Sequence, residues 1–291
     1  MHIKGHWPAI ITPFNEDGVI DYQALSALVR WYVDSGVDGL VVNGTTAESA
    51  TLTELEQDKI VEAVLLETDN AIPVMCGTGC HDTNKTVKRS IQAARQGIDA
   101  CLVVTPYYNK PSQQGLIAHY LRVLDACDKP IMLYNVPFRT GVDLGNDAVE
   151  RLFEHPNCLG IKAADGDAKR LNDYMAMSPD KALFTGDDAN VIEWLAAGGC
   201  GVISVAGNLV PRYWSRMVKA VSDGDVFDPS DSVDLISCLN WSTNPVPIKY
   251  SLYAIGKIST PLVRLPLLME APEQSWQIDK LINTYRRLEQ C

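Results

Sequence analysis

A lysine stands in an otherwise apolar run at Gly160-Ile161-Lys162-Ala163-Ala164. Lysine is among the side chains least often buried without a partner, so two roles are open. It is ion-paired to a carboxylate on an adjacent strand, or burial disfavours its charged form and leaves an amine able to attack a carbonyl and form a Schiff base. Lys249, in NPVPIKYSL, is the rival, but it lies late in the chain in a helical stretch where a structural role fits better. Imine chemistry needs proton shuttles beside the amine. Tyr134 in IMLYN and Tyr108 in TPYYN bring phenols near strand ends, and each could also be a packed aromatic with one wet edge. The segment GTTAES, Gly44 to Ser49, supplies a glycine turn, the hydroxyls of Thr45 and Thr46, and adjacent amides suited to a carboxylate. Arg139 follows NVPF, and its planar fork suits a second carboxylate unless it is simply a surface cation. Pro137 predicts an extended path for that loop.

Positioning these groups falls to a repeating pattern. Runs rich in branched residues start at Trp7, Gly39, Ile72, Ala100, Ile131, Leu159, Ala182 and Gly201, spaced 19 to 33 residues apart. Between the first two, Leu25, Leu28, Val29, Tyr32 and Val33 recur at helical spacing, with Asp21 as N-cap and Gly36 as stop. Thr53 and Glu56 form a capping box for the next helix, and a third is expected from about Thr83 to Gly97. Continuous apolar strands alternating with amphipathic helices imply a parallel sheet covered on its outer face, and eight such units close into a (β/α)₈ TIM barrel. Catalytic groups of that architecture sit at the C-terminal strand ends. Those ends hold Thr45, Thr46, Tyr108, Tyr134, Arg139, Lys162, Gly186, Asp187, Asp188 and Ser204. The barrel is expected over residues 1–223. A C-terminal helical extension over 224–291 shows helical patterns near 230–242, 245–256 and 274–289, after a last barrel helix near 211–222. No Ser/Gly or charged linker separates it, so it is expected to pack on the barrel.

Composition narrows the function. The 291 residues carry 25 Lys plus Arg against 36 Asp plus Glu, a net charge of −11 that argues against sequence-independent nucleic-acid binding. The N-terminus has no secretory pattern, and no apolar run approaches the roughly 18 residues of a membrane span. Eight scattered cysteines without CxxC or clustered histidines read as reduced thiols in a cytoplasmic protein, with no metal site.

AIITPF, GTTAESATL, GTG, TPYYNKPSQQGL, YNVPFRTG, GIKAADG, GDD, GVISV, NPVPIK and RLPL occur in an order and spacing that resembles the dihydrodipicolinate synthase family, pyruvate-dependent class I aldolases, over essentially the whole chain. The resemblance implies Lys162 as the Schiff-base lysine for pyruvate and Tyr134 as general acid and base, linked through Thr45 to Tyr108 of a second subunit. It also implies Thr46 and nearby amides at the pyruvate carboxylate, Gly186 and Ile203 presenting backbone groups, and Arg139 holding the carboxylate of aspartate semialdehyde. No cofactor is implied; a homodimer or homotetramer is, as is a place in the diaminopimelate route to lysine. N-acetylneuraminate lyase and the 2-keto-3-deoxy sugar acid aldolases share the lysine and tyrosine but generally lack an arginine matching Arg139. A scaffold on an inactive barrel is disfavoured by the joint presence of lysine, tyrosines, threonines and arginine.

Two departures from the family stand out. Ala47 replaces the usual glycine, which would strain the carboxylate turn if that position needs a positive φ. At the family's lysine feedback site Ser49, Ala50 and Tyr107 match. Glu54 and Gln57 stand where inhibited members tend to have histidines, His81 replaces an asparagine, and Lys85 replaces a glutamate, so feedback by lysine is expected to be weak or absent.

Overall fold

The computed structural model describes residues 3–272 and 275–289. Eight parallel strands, β1 (Gly5–Pro8), β2 (Leu40–Val42), β3 (Val74–Gly77), β4 (Ala100–Val104), β5 (Ile131–Asn135), β6 (Cys158–Ala163), β7 (Ala182–Thr185) and β8 (Gly201–Ser204), lie in the spatial order β1-β8-β7-β6-β5-β4-β3-β2. A bridge between Ala9 and Val41 joins the two ends, so the sheet closes as a TIM barrel. The regular ladder of β1 stops at Pro8, short of the run expected from Trp7. There the chain passes from β8 to β2: Ala9 N–H donates to Ser204 C=O at 2.9 Å and Ile10 N–H to Val41 C=O at 3.0 Å.

Outer helices follow the strands: α1 (Tyr22–Asp34), α2 (Glu54–Thr68), α3 (Thr83–Gln96), α4 (Gln113–Ala126), α5 (Pro137–Thr140), α6 (Asn146–Phe153), α7 (Arg170–Met177), α8 (Val191–Ala196) and α9 (Pro211–Ser222). Their ends are chemical. The Asp21 carboxylate accepts from Ala24 N–H at 2.9 Å to start α1, and the Thr53–Glu56 capping box opens α2. Gly97, at φ +105, stops α3 as the sequence suggests. The short α5 corrects one expectation: Pro137 opens a single helical turn instead of holding the loop extended. Its fixed φ suits the first helical position, while the residue before it, Val136, is kept out of the helical region at φ −145 and ψ 69.

Period-two alternation divides the apolar residues between two cores. Trp7, Val41, Met75, Leu102, Met132, Tyr134, Phe184 and Ile203 fill the barrel, whereas Leu40, Val42, Val103, Leu133, Ile161, Leu183 and Val202 meet the helices. Each fully buried aliphatic or aromatic side chain contributes about 1.5–3 kcal/mol, so register is strongly enforced. One irregularity matters for chemistry. Ile131 pairs with Cys158 but Met132 with Gly160, leaving Leu159 as an extra residue in β6. A slip of one residue exchanges the two faces of a strand, and this bulge sets Lys162 opposite Tyr134 and Phe184, both inward. Gly160 permits it, because a Cβ there would lie 2.0 Å from the Ala182 carbonyl oxygen.

Beyond α9 come α10 (Ser230–Cys238), α11 (Val246–Ala254) and α12 (Ser275–Glu289), the first two shorter than their sequence patterns suggest. Glu289 accepts from Tyr213 N–H at 3.0 Å, tying α12 to α9, and Lys280 pairs with Asp234 at 3.0 Å, tying α12 to α10. The seven cysteines other than Cys291 are free thiols; Cys291 lies outside the described residues.

Candidate active site

At the C-terminal mouth of the barrel a cleft of about 460 Å³ is lined by Thr45, Thr46, Tyr134, Arg139, Lys162, Gly186 and Asp188, among others. Lys162 lies at its base, 6% exposed. Nζ stands 4.3 Å from the centroid of the Tyr134 ring, and the lysine stem passes so close to Gly186 that a Cβ there would sit 2.4 Å from Lys162 Cε. No carboxylate forms an ion pair with this amine among the described residues. Burial therefore dominates and lowers its pKa to about 7, with Asp188 pulling upward and Arg139 pushing further down. At neutral pH a large fraction is free amine. Burial has the opposite sense on a phenol: Tyr134 is held protonated above its usual range, against the charge of Arg139 and the hydroxyl of Thr45. A nucleophile and a proton donor thus stand side by side.

The loop after β2 forms a small anion cradle. Thr45 and Thr46 N–H groups donate to nothing among the described residues, while Ala47 N–H and Glu48 N–H turn back to Gly44 C=O and Thr45 C=O at 3.2 and 3.0 Å. Bonds from distant parts of the chain fix this loop from outside. Thr12 Oγ1 donates to Ala47 C=O at 2.8 Å, Asn244 Nδ2 donates to Thr46 Oγ1 at 3.0 Å, and Lys249 Nζ bonds Glu48 Oε1 at 2.7 Å. The Lys249–Glu48 pair is almost completely buried, so Lys249 has the structural role that its late position suggested. Ala47 is not strained. The left-handed residue of the turn is its neighbour Glu48, at φ +58, while Ala47 does not have a positive φ, so the expected penalty does not arise.

Arg139 is exposed on α5, its guanidinium 5.4 Å above the Phe138 ring, at the cleft wall. Two of the expected residues stand apart. Ile203 is fully buried in the inner core, and Tyr108 is 89% exposed, outside the cleft of its own chain. Asp188 is visible in the sequence only as part of GDD at a strand end. Its Oδ2 accepts from Val205 N–H at 3.0 Å and Ala206 N–H at 2.7 Å, which fixes the β8 loop against the cleft. Asn244 and Glu48 carry no role in the sequence reading, since their partners lie about 200 positions away in the chain.

A free amine buried at the mouth of a (β/α)₈ barrel, beside a protonated phenol and an anion cradle, defines a lyase of the class I aldolase type. The model of the dihydrodipicolinate synthetase family matches residues 2–285, and the chain belongs to that family. It is 41% identical over 270 residues to the 4-hydroxy-tetrahydrodipicolinate synthase of Methylococcus capsulatus, covering 91% of this chain and 92% of that one. Among solved structures, the dihydrodipicolinate synthase of Aquifex aeolicus superposes with a TM-score of 0.92 at 34% identity, covering 99% of each chain. The chloride-inhibited enzyme of Acinetobacter baumannii, solved with pyruvate, gives 0.90 at 35%, covering 98% of each.

Proposed function

We propose that this protein is a 4-hydroxy-tetrahydrodipicolinate synthase, condensing pyruvate with L-aspartate 4-semialdehyde in diaminopimelate and lysine biosynthesis. The observation that carries the reading is the placement of two anion-binding groups around one depressed-pKa amine: the Thr45–Thr46 cradle and Arg139, with Lys162 in the same cleft. Lys162 adds to the pyruvate ketone, water leaves with a proton from Tyr134, and the iminium acidifies the methyl group, whose proton returns to the Tyr134 phenolate as the enamine forms. The resulting enamine carbon bonds to the aldehyde carbon. The product's own amine then displaces Lys162 as the ring closes, regenerating the free lysine.

Arg139 separates this reading from aldolases whose partner substrate presents hydroxyls. For Arg139→Ala, KM for the semialdehyde is expected to rise about 10- to 100-fold, as for loss of a charge-assisted hydrogen-bonding pair, while borohydride still traps the pyruvate adduct in full. Steady-state kinetics with each substrate varied checks this; an unchanged KM for the semialdehyde assigns its carboxylate elsewhere.

Tyr108 serves only a neighbouring copy in this scheme, because it is exposed at the surface of its own chain, outside the cleft. Pairs of chains are therefore the working unit, in the cytoplasm; no helix among the described residues is long and apolar enough to cross a membrane.

Feedback by lysine is weak in this proposal. Glu54, Gln57 and Lys85 line a cavity of about 710 Å³ between α2 and α3. The Gln57 amide oxygen already accepts from the Arg89 guanidinium, whose charge in the same cavity repels an ammonium group, and its nitrogen donates to Ser49 C=O and Leu52 C=O at 3.0 and 3.2 Å. Half-inhibition is expected only above about 1 mM lysine, roughly −4 kcal/mol; a titration reaching it lower down contradicts this.

A further inference from the structure

We propose that Asn244, which precedes α11 and stands outside the β/α repeats, is a positioning residue of the carboxylate cradle that fixes the Thr46 hydroxyl as a donor toward the substrate. The inference deepens the pyruvate reading of the cleft and rests on it.

A threonine hydroxyl has one hydrogen and two lone pairs, so it serves a carboxylate only if its hydrogen is not engaged by the protein. Thr46 Oγ1 accepts from Asn244 Nδ2 at 3.0 Å and donates to no acceptor among the described residues. The side chain is 3% exposed and lines the cleft, as Asn244 does. Its hydrogen is thus the free valence, beside the unengaged N–H groups of Thr45 and Thr46. Rotating the hydroxyl toward Asn244 is disfavoured because a donor already faces it. The backbone on either side of Asn244 is held, although its own amide oxygen has no partner among the described residues: Val246 N–H donates to Thr243 C=O at 2.9 Å, Lys249 N–H to Pro245 C=O at 3.0 Å, and Lys249 grips Glu48 two residues past Thr46. One helix start therefore touches the cradle at two points.

Substituting aspartate for asparagine makes the test sharp, because it keeps the shape and inverts the polarity. The ionised carboxylate introduced by Asn244→Asp only accepts, so it draws the Thr46 hydrogen away from the substrate and adds a negative charge near an anion. Asn244→Ala is expected to raise KM for pyruvate about tenfold and Asn244→Asp about a hundredfold, with kcat within about threefold of the parent in each. A role limited to packing predicts the reverse order, with the isosteric aspartate milder than alanine. A double-mutant cycle with Thr46→Val covers the case in which Asn244→Asp folds poorly: once the hydroxyl is gone, Asn244→Ala should cost almost nothing further in pyruvate KM. Borohydride trapping of pyruvate on the parent enzyme accompanies these kinetics. A trapped adduct with aspartate more damaging than alanine and a strongly non-additive cycle supports the inference. A trapped adduct with aspartate equal to or better than alanine, or with an additive cycle, overturns it and leaves the pyruvate reading standing. Absence of the parent adduct overturns both.

Discussion

Lys162→Met is expected to trap no pyruvate on borohydride reduction and to lose kcat/KM by on the order of 10³-fold or more, since deleting a covalent nucleophile can cost up to about 10⁶-fold. Methionine keeps the stem that packs over Gly186, so the fold survives while the amine is removed. Intact mass after reduction is the direct readout, and an adduct that persists in the variant would place the imine on another lysine. The same residue sets a pH signature. With the amine's pKa lowered to about 7 by burial, kcat/KM for pyruvate should rise about tenfold per unit below that value and level above it. The stability linkage has a definite sign. The unfolded lysine keeps its proton up to its ordinary 10.5 and the folded one releases it near 7, so between these values the unfolded chain binds more protons and this group favours folding increasingly as pH rises. Lys162→Met should flatten that part of the stability profile and unfold at higher denaturant than the parent near pH 6.

The second large effect concerns the Lys249–Glu48 pair. Lys249 Nζ also lies 4.0 Å from the Phe14 ring centroid, and Glu48 Oε2 accepts from Arg264 N–H at 2.8 Å, so neither charge can reach water. Breaking such a pair from one side leaves an uncompensated buried charge, at a cost of about 3–5 kcal/mol. Lys249→Met and Glu48→Gln are each expected to lose stability of that order in urea unfolding, with different pH dependences. Burial already lowers the Lys249 pKa to about 8 against the pull of Glu48. Without the carboxylate the lysine can only escape by shedding its proton, so the deficit of Glu48→Gln should shrink as pH rises. Lys249→Met removes the amine and leaves Glu48 with Arg264 as its remaining cationic neighbour, so its deficit should not shrink as pH rises. The double variant, with both charges gone, should be more stable than either single one. Parallel pH profiles for the two single variants would show that the pair is not the source of the cost.

Much of the barrel can be read from local pattern, because each strand is a branched apolar run and each cap is a short-range device, as at Asp21, Thr53 and Gly97. Lys162 is equally legible, since a cation amid apolar neighbours is a contradiction that calls for a role. Arg139 is legible but its local path is not: the restriction imposed by Pro137 falls on Val136, and the proline itself starts a turn. Ala47 shows a similar near miss, the strained conformation falling one residue later on Glu48. Asn244, Glu48 and Lys249 cannot be paired from sequence, because their contacts have no periodicity and span about 200 residues. The inward aim of Lys162 depends on a single extra residue in β6, which apolar patterning does not reveal.

Those long-range contacts give the molecule an order of assembly. During synthesis the nucleophile, the phenol and both threonines leave the ribosome well before Asn244 and Lys249. A nascent chain stalled before residue 244 can carry every strand of the barrel and still lack the bonds from Asn244, Lys249 and Arg264 that shape the β2 loop. The reactive amine is then present before the pocket that selects its partner is finished. Completion of translation is in this sense the last step in building the catalyst.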